Sequence, residues 1–365
     1  MTEFEKPQRH RIEHFDLLKG IAIFLVVMGH VITMCIRGLD AAFIFKLIEQ
    51  VHMPIFFFIS GYFTYKASAE RTFITPGLKK RFLQLVVPFL VITPMWVCYF
   101  PHSKLLSPLS DNLPDLYRSV WKDGYWFTLC LFEMCALYMP LSLMLQRIKS
   151  VVGKVAVLMA AYGVLISLMV CFADVPGNVD YAGLSLLARF FPAFAIGVMA
   201  HHLHQGYQAL LHRSGTFAVA LVVFASTFYC VAYPWDVWGA DSAELWAFIS
   251  LAITPVMHFS LFIIAITLII PWTEKEFGPE AKPSVVARYF RLLGNESLGI
   301  YLLHYFFLFP LTGLQDPLKE MGLAFVPLTV TAASVAFCII GVTLLVVYAL
   351  KRNKITALLL LGTWK

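Results

Sequence analysis

Charge is scarce in this chain. Asp, Glu, Lys and Arg make up 14% of its 365 residues, 59% are hydrophobic, and the mean hydropathy is +0.76. A soluble domain lies nearer a quarter charged and about half apolar, so a water-soluble globule is excluded and a polytopic membrane protein is expected. The formal net charge of +6 is then no sign of nucleic-acid binding, because the cations follow the connections between apolar runs. Cysteine is also sparse. Its seven copies (Cys35, Cys98, Cys130, Cys135, Cys171, Cys230, Cys338) are scattered, mostly inside apolar runs, with no C-x-x-C and no Cys/His spacing suited to a metal. They read as small hydrophobes rather than disulfides, and no metal is expected. No small-residue cleavage site follows the first apolar run, which reads as a retained helix rather than a signal peptide. There is no internal repeat and no low-complexity stretch.

What the chain does hold is a series of apolar runs near the ~20 residues that a membrane-spanning helix needs. Ten are read, at 16–36, 43–65, 82–100, 125–145, 151–172, 184–203, 215–233, 244–270, 296–313 and 325–349. The expected fold is all-α, a polytopic bundle of about ten transmembrane helices. It is expected to form one integral membrane domain over residues 1–365, with 1–14 and 351–365 as polar flanks. The eighth run is long and holds Pro255, which predicts a kink or a strong tilt. Lys and Arg give the orientation. With the N-terminus inside, 21 of the 28 fall on inner segments and 6 on outer ones, with Arg189 inside a span. Both termini are therefore expected on the cytoplasmic side.

The stretch FDLLKGIAIFLVVMGH, Phe15 to His30, has charge at its foot and one imidazole inside the run. On a helix His30 lies about 20° around the axis from Lys19 and about 16 Å along it, with Asp16 on the same face. A titratable group in hydrocarbon is costly, so it turns to the bundle interior and marks a function; the alternative is a lone His bonded to a nearby carbonyl. Other residues carry similar pairs of readings. Lys79, Lys80 and Arg81, just before the third run, are either an interfacial anchor or a clamp for an anionic substrate. Tyr125, Trp126 and Phe127 form an aromatic belt or a sugar-stacking platform. Glu133, two turns deeper, needs a cation, for which in-span Arg189 is a candidate. Ser297, Tyr301 and His304 share one helical face, lining a cavity or a hydrogen-bond seam. His201-His202-x-His204 lacks acidic partners and reads as interfacial rather than metal-binding. Ser60 and Gly61 read as close packing.

Five stretches, in order along the chain, resemble the acyltransferase 3 family of integral membrane O-acyltransferases. They are FDLLKGIAIFLVVMGH (Phe15 to His30), HMPIFFFISGYF (His52 to Phe63), LKKRFLQLVVPFL (Leu78 to Leu90), YWFTLCLFE (Tyr125 to Glu133) and LGNESLGIYLLHYFFL (Leu293 to Leu308). The His-Met-Pro form of the second is similar to the branch of sugar O-acetylases. Two positions depart from the family pattern. Lys19 stands where an Arg is usual, keeping the charge but losing the bidentate fork. The Arg-x-x-Arg of the third stretch here reads Arg81-Phe82-Leu83-Gln84, so Lys79 or Lys80 would have to supply the second charge.

The resemblance implies transfer of an acyl group, usually acetyl, from cytosolic acyl-CoA to a hydroxyl of a sugar, lipid-linked glycan or surface polysaccharide. It implies a bacterial inner membrane, membrane lipids as surroundings, and no metal. His30 would be the general base or acyl relay, with Asp16 and Lys19 beside it in the catalytic set. Lys19, Lys80 and Arg81 would meet the phosphates or the thioester oxygen of the donor. His52, Trp126, Glu133, Tyr301 and His304 would face the acceptor. No extracytoplasmic domain is expected to follow the last span, so the membrane unit would complete the transfer alone or with a separate partner. Homo-oligomer formation is left open. The alternative from another class is an exporter of a glycan intermediate; flux insensitive to acyl-CoA would favour it, and His30-dependent acyl-CoA hydrolysis would favour the enzyme. A third reading is an inactive relative that binds lipid or a partner, against which CoA binding would count.

Overall fold

The computed structural model describes residues 13–39, 42–65, 71–99, 114, 116–174, 177, 179–203, 215–233, 243–321 and 325–363. Among these residues the fold is helical, with one isolated bridge between Asp174 and Val179 and no strand. Helix α1 (Glu13–His30) runs into a π-helical segment, Val31–Ile36. Then come α2 (Phe43–Thr64) and α3 (Arg71–Arg81), which a second π segment (Phe82–Val86) joins to α4 (Val87–Tyr99). These are followed by α5 (Trp126–Arg147), α6 (Val151–Phe172), α7 (Leu184–His202), α8 (Thr216–Ala232), α9 (Ala243–Phe277), α10 (Val285–Leu303), α11 (Thr312–Glu320), α12 (Phe325–Leu350) and α13 (Lys354–Leu361).

Eight described helices are long and apolar enough to cross a membrane, as an all-α polytopic membrane protein requires. The other two expected spans are present as helices with weaker signals. α8 is apolar but has 17 residues. α10 carries Arg288, Arg291 and Glu296 and starts well before the run read at 296–313. Its start is set by a cap, Ser284 Oγ accepting from the Ala287 N–H at 3.2 Å, which hydropathy cannot register. It stops at Leu303, and His304–Phe307 continue as a 3-10 turn. The eighth run is a single 35-residue helix that passes through Pro255 and Pro271.

In a bilayer, helices gain little from mutual apolar burial, and small residues that let backbones touch decide the pairing. Two glycine pairs do this here. A Cβ on Gly20 would lie 1.9 Å from the Phe290 carbonyl oxygen, and one on Gly294 would lie 1.8 Å from that of Asp16, so α1 and α10 meet backbone to backbone. Gly61 and Gly197 do the same for α2 and α7, at 2.1 and 2.0 Å from the carbonyl oxygens of Phe194 and Phe58. Gly61 thus serves packing, as its sequence setting suggests. Both pairs of helices run parallel. Along α2 and α7 the contacts climb together, from Glu49–Arg189 through Phe57–Phe190 to Tyr65–His202. Along α1 and α10 they climb from Glu13–Arg291 to His30–His304. Helix α1 lies at the centre, packed against α2, α9, α10 and α12.

Candidate active site

His30 is the last residue of α1 before the helix widens. The Arg37 N–H reaches back five residues to the Ile32 carbonyl at 2.9 Å, the spacing of a π turn. Such insertions cost regular hydrogen bonding and concentrate at functional positions. The half-buried ring faces the end of α10. Its Nε2 lies 2.8 Å from the Tyr305 hydroxyl, and its centroid is 4.8 Å from the Tyr305 ring and 5.3 Å from the His304 ring. Nδ1 has no hydrogen-bond partner among the described residues.

Tyr305 is fixed by what surrounds it. It is buried, its ring packs on Trp96 and Tyr125 at 5.5 and 5.0 Å, and its hydroxyl stands 3.4 Å from the Gly124 carbonyl. Gly124 has φ +92°, and a Cβ there would meet the Tyr305 hydroxyl at 2.2 Å, so glycine is required on both counts. The Tyr301 hydroxyl donates to the same carbonyl at 2.7 Å and accepts from the Phe127 N–H at 3.2 Å, while the Tyr125 hydroxyl donates to the Leu302 carbonyl at 3.1 Å. The start of α5 is thereby stitched to the end of α10. Fully buried His304 places Nδ1 at 3.0 and 2.8 Å from the carbonyls of Ile300 and Tyr301. Carbonyls only accept, so Nδ1 carries the proton and Nε2 is a buried lone pair, without a partner among the described residues.

The basic candidates lie elsewhere. Lys19 pairs with buried Asp16 at 2.8 Å, in the first turns of α1. Arg81 ends α3 where the second π segment begins, and its Nη1 donates to Gln84 Oε1 at 3.3 Å. The residue standing at the usual second Arg position therefore holds the first one. Lys79 and Lys80 are exposed on α3. None of these cations touches His30, which stands eleven residues beyond Lys19, about 16 Å along the helix.

Of the acceptor-side candidates, Tyr301 and His304 join His30 while the others do not. His52 donates Nδ1–H to the Ile48 carbonyl of its own helix and lies within electrostatic range of His30. Trp126 is half-buried and stacks on Phe190 (5.2 Å, 14°), with Phe57 near-parallel at 6.3 Å, so one of its faces is occupied by protein. Tyr125 and Phe127 are buried rather than set in an interfacial belt. Arg189 pairs with Glu49 at 3.9 Å and not with Glu133. Glu133 instead sits against Gly183, with Oε2 buried and unpartnered among the described residues.

Three residues had no sequence signal strong enough to find them. Tyr305 sits one place beyond the expected polar face, and Trp96 looks like any apolar-run aromatic. Lys122 reads as a loop cation, yet it is 1% exposed, has φ +45°, and donates its three N–H to the carbonyls of Tyr117 (2.7 Å), Ser119 (2.8 Å) and Asp180 (2.7 Å). Burial lowers its pKa below the usual 10.5, against the pull of Asp180 and Glu133. Asp180 in turn caps α7, its carboxylate accepting from the N–H groups of Leu184 (2.9 Å) and Ser185 (2.8 Å). Among the described residues no three His, Cys, Asp or Glu side chains converge as a metal site.

An acyltransferase domain model, Acyl_transf_3, matches residues 12–352, nearly the whole chain. The chain belongs to this acyltransferase family. It is similar to nodulation protein NolL of Mesorhizobium japonicum, 30% identical over 190 residues, which are 51% of this chain and 46% of that protein. It is also similar to nodulation protein NolL of Sinorhizobium fredii, 28% identical over 244 residues, 62% of this chain and 58% of that one. The matched part thus spans about half the length of these curated relatives. No solved structure matches the chain. Family membership and the apolar helices together make this an integral membrane acyltransferase-family protein.

Proposed function

We propose that this protein transfers an acyl group, acetyl in the simplest case, from acyl-CoA to a hydroxyl of a carbohydrate or lipid-linked glycan, with His30 as the base. The observation that carries the reading is the hydrogen bond between His30 Nε2 and Tyr305, inside the bundle, with Nδ1 left open. The Gly124 carbonyl can only accept. A chain in which His30 Nε2–H donates to the Tyr305 oxygen and Tyr305 O–H donates to Gly124 leaves the Nδ1 lone pair as the proton acceptor. Tyr305 then acts as a positioning residue, setting ring orientation and tautomer. The attacking hydroxyl loses its proton to Nδ1 as its oxygen bonds to the thioester carbonyl carbon; the carbon–sulfur bond breaks and the thiolate leaves, taking up that proton. Relay through an acyl-imidazole is the variant of the same step.

In this reading Lys19, Lys80 and Arg81 meet the anionic part of the donor at the foot of the bundle, the thioester extends toward His30, and His304 and Tyr301 face the acceptor. Sugar modification as the setting rests on the resemblance of the second span to sugar O-acetylases. The experiment is transfer of labelled acetyl from acetyl-CoA by purified protein in lipid, with surface glycan mass compared between cells with and without the gene. His30→Ala is expected to lose at least about a hundredfold in turnover. Near-wild-type transfer by that variant would overturn the assignment.

A further inference from the structure

A polar cavity lies between the ends of α2, α5 and α7 and the start of α6, at the end of the bundle away from Gly124. Its volume is about 230 Å³, and Tyr65, Tyr138, Ser142, Gln146, Lys154 and His202 line it among a few apolar side chains. His202 bridges two of them. The Lys154 ammonium stands 2.9 Å from Nε2, and the Tyr65 hydroxyl stands 2.7 Å from Nδ1. The protons in this row are fixed by chemistry. An ammonium only donates, so Nε2 accepts; Nδ1 then carries the hydrogen and donates to the Tyr65 oxygen. Tyr65 is left with its own O–H to give, and Lys154 with two further N–H. None of the described lining residues is acidic. The cavity therefore offers convergent donors and positive charge with nothing anionic among its described lining residues to satisfy them. Cys135, one turn before Tyr138 on α5, hydrogen-bonds to Thr64 and lies within electrostatic range of Arg81.

We propose that Tyr65, Lys154 and His202 form a binding site for a phosphate-type anion, distinct from the His30 cluster. A volume of 230 Å³, several times a water's share of about 30 Å³, holds a phosphate or diphosphate. Charge-assisted bonds from an ammonium and a polarised phenol are the interactions that select such groups. Two sources carry this chemistry, the phosphates of the acyl donor and the headgroup of an anionic lipid. Assigning it to the donor rests on the function proposed above; the anion site itself does not.

The test uses the full chain in phosphatidylcholine nanodiscs, titrated with inorganic pyrophosphate and followed by calorimetry and thermal unfolding. Pyrophosphate is expected to bind and to raise the unfolding midpoint. Lys154→Gln should weaken binding about tenfold or more, Tyr65→Phe several-fold, and exposed Lys149→Gln not at all. Tyr65→Phe keeps the ring, so it reads the site even if the lysine variant folds poorly. Displacement of pyrophosphate by acetyl-CoA but not by S-acetylpantetheine assigns the site to the donor. Displacement by added phosphatidic acid alone assigns it to a lipid headgroup. No binding by wild type, or equal binding by Lys154→Gln and Tyr65→Phe, overturns the site. Absence of acetyl transfer by wild type would sink the proposed activity and leave the pyrophosphate result standing.

Discussion

Removing one oxygen tests the arrangement around His30. In Tyr305→Phe the ring keeps its packing on Trp96 and Tyr125 at 5.5 and 5.0 Å, while the hydroxyl 2.8 Å from His30 Nε2 is lost. That nitrogen then faces a site where a missing partner costs about 1–3 kcal/mol. If the bond orients the base in the transition state, the cost falls on turnover, and at about 1.4 kcal/mol per decade kcat drops roughly 5- to 150-fold. KM for acetyl-CoA should hold, because the basic residues assigned to the donor are far from Tyr305. The measurement is initial-rate kinetics on purified protein in lipid, with the thermal midpoint as a control for folding. Two residues acting as one unit should not add: Tyr305→Phe in a His30→Ala background should cost almost nothing more. Full kcat in Tyr305→Phe, or a drop that multiplies undiminished with His30→Ala, would refute the coupling.

Other substitutions test the frame. Gly294→Ala places a methyl 1.8 Å from the Asp16 carbonyl oxygen; backbone must move, and a loss of about 3 kcal/mol or more is expected in denaturant or thermal unfolding. Trp126→Ala should lower stability by about 2–4 kcal/mol through lost stacking on Phe190 and Phe57, and a stable variant with a raised acceptor KM would instead restore the sugar-platform reading. Lys122→Met leaves three carbonyls without their donor and should cost about 3 kcal/mol. The sign of its pH dependence follows from the lowered native pKa of Lys122. Between that value and about 10.5 the unfolded chain binds more protons, so wild type gains on Lys122→Met as pH rises through the window. A gap that narrows there, read by thermal unfolding against pH, contradicts the burial of this ammonium.

Whatever depends on one helix at a time was legible in the sequence. Hydropathy located the apolar runs, and helical spacing placed His30, Lys19 and Asp16 on one face of the first. The ion pair between Asp16 and Lys19 is an i, i+3 contact that spacing alone supports. What depends on which helices are neighbours was not legible. Glu133 and Arg189 are both in-span and of opposite sign, yet α2 lies between sequence and partner: packing of Gly61 against α7 brings Glu49 to Arg189 first. Tyr125 reads as interfacial because it precedes an apolar run, but α5 begins inside the bundle, tied to α10 by Tyr301. The ninth expected span was shifted because the first turns of α10 are polar and capped, and a window of hydropathy starts only where the charge ends.

The register that matters most for the site is written in two glycines. A side chain leans toward the N-terminus of its helix and a carbonyl points toward the C-terminus. When Gly20 meets the Phe290 oxygen and Gly294 meets the Asp16 oxygen on parallel helices, the level between Asp16 and Gly20 coincides with the level between Phe290 and Gly294. Climbing both helices by the same rise from that level reaches His30 on one and His304 on the other, and their rings do stand 5.3 Å apart. The opposition of the two imidazoles thus follows from a backbone contact about three turns below them. Parallel running of α1 and α10, and of α2 and α7, is also what alternation of the ten expected spans would give. With α8, 17 residues long, as the crossing between α7 and α9, the alternation gives α10 the direction it has.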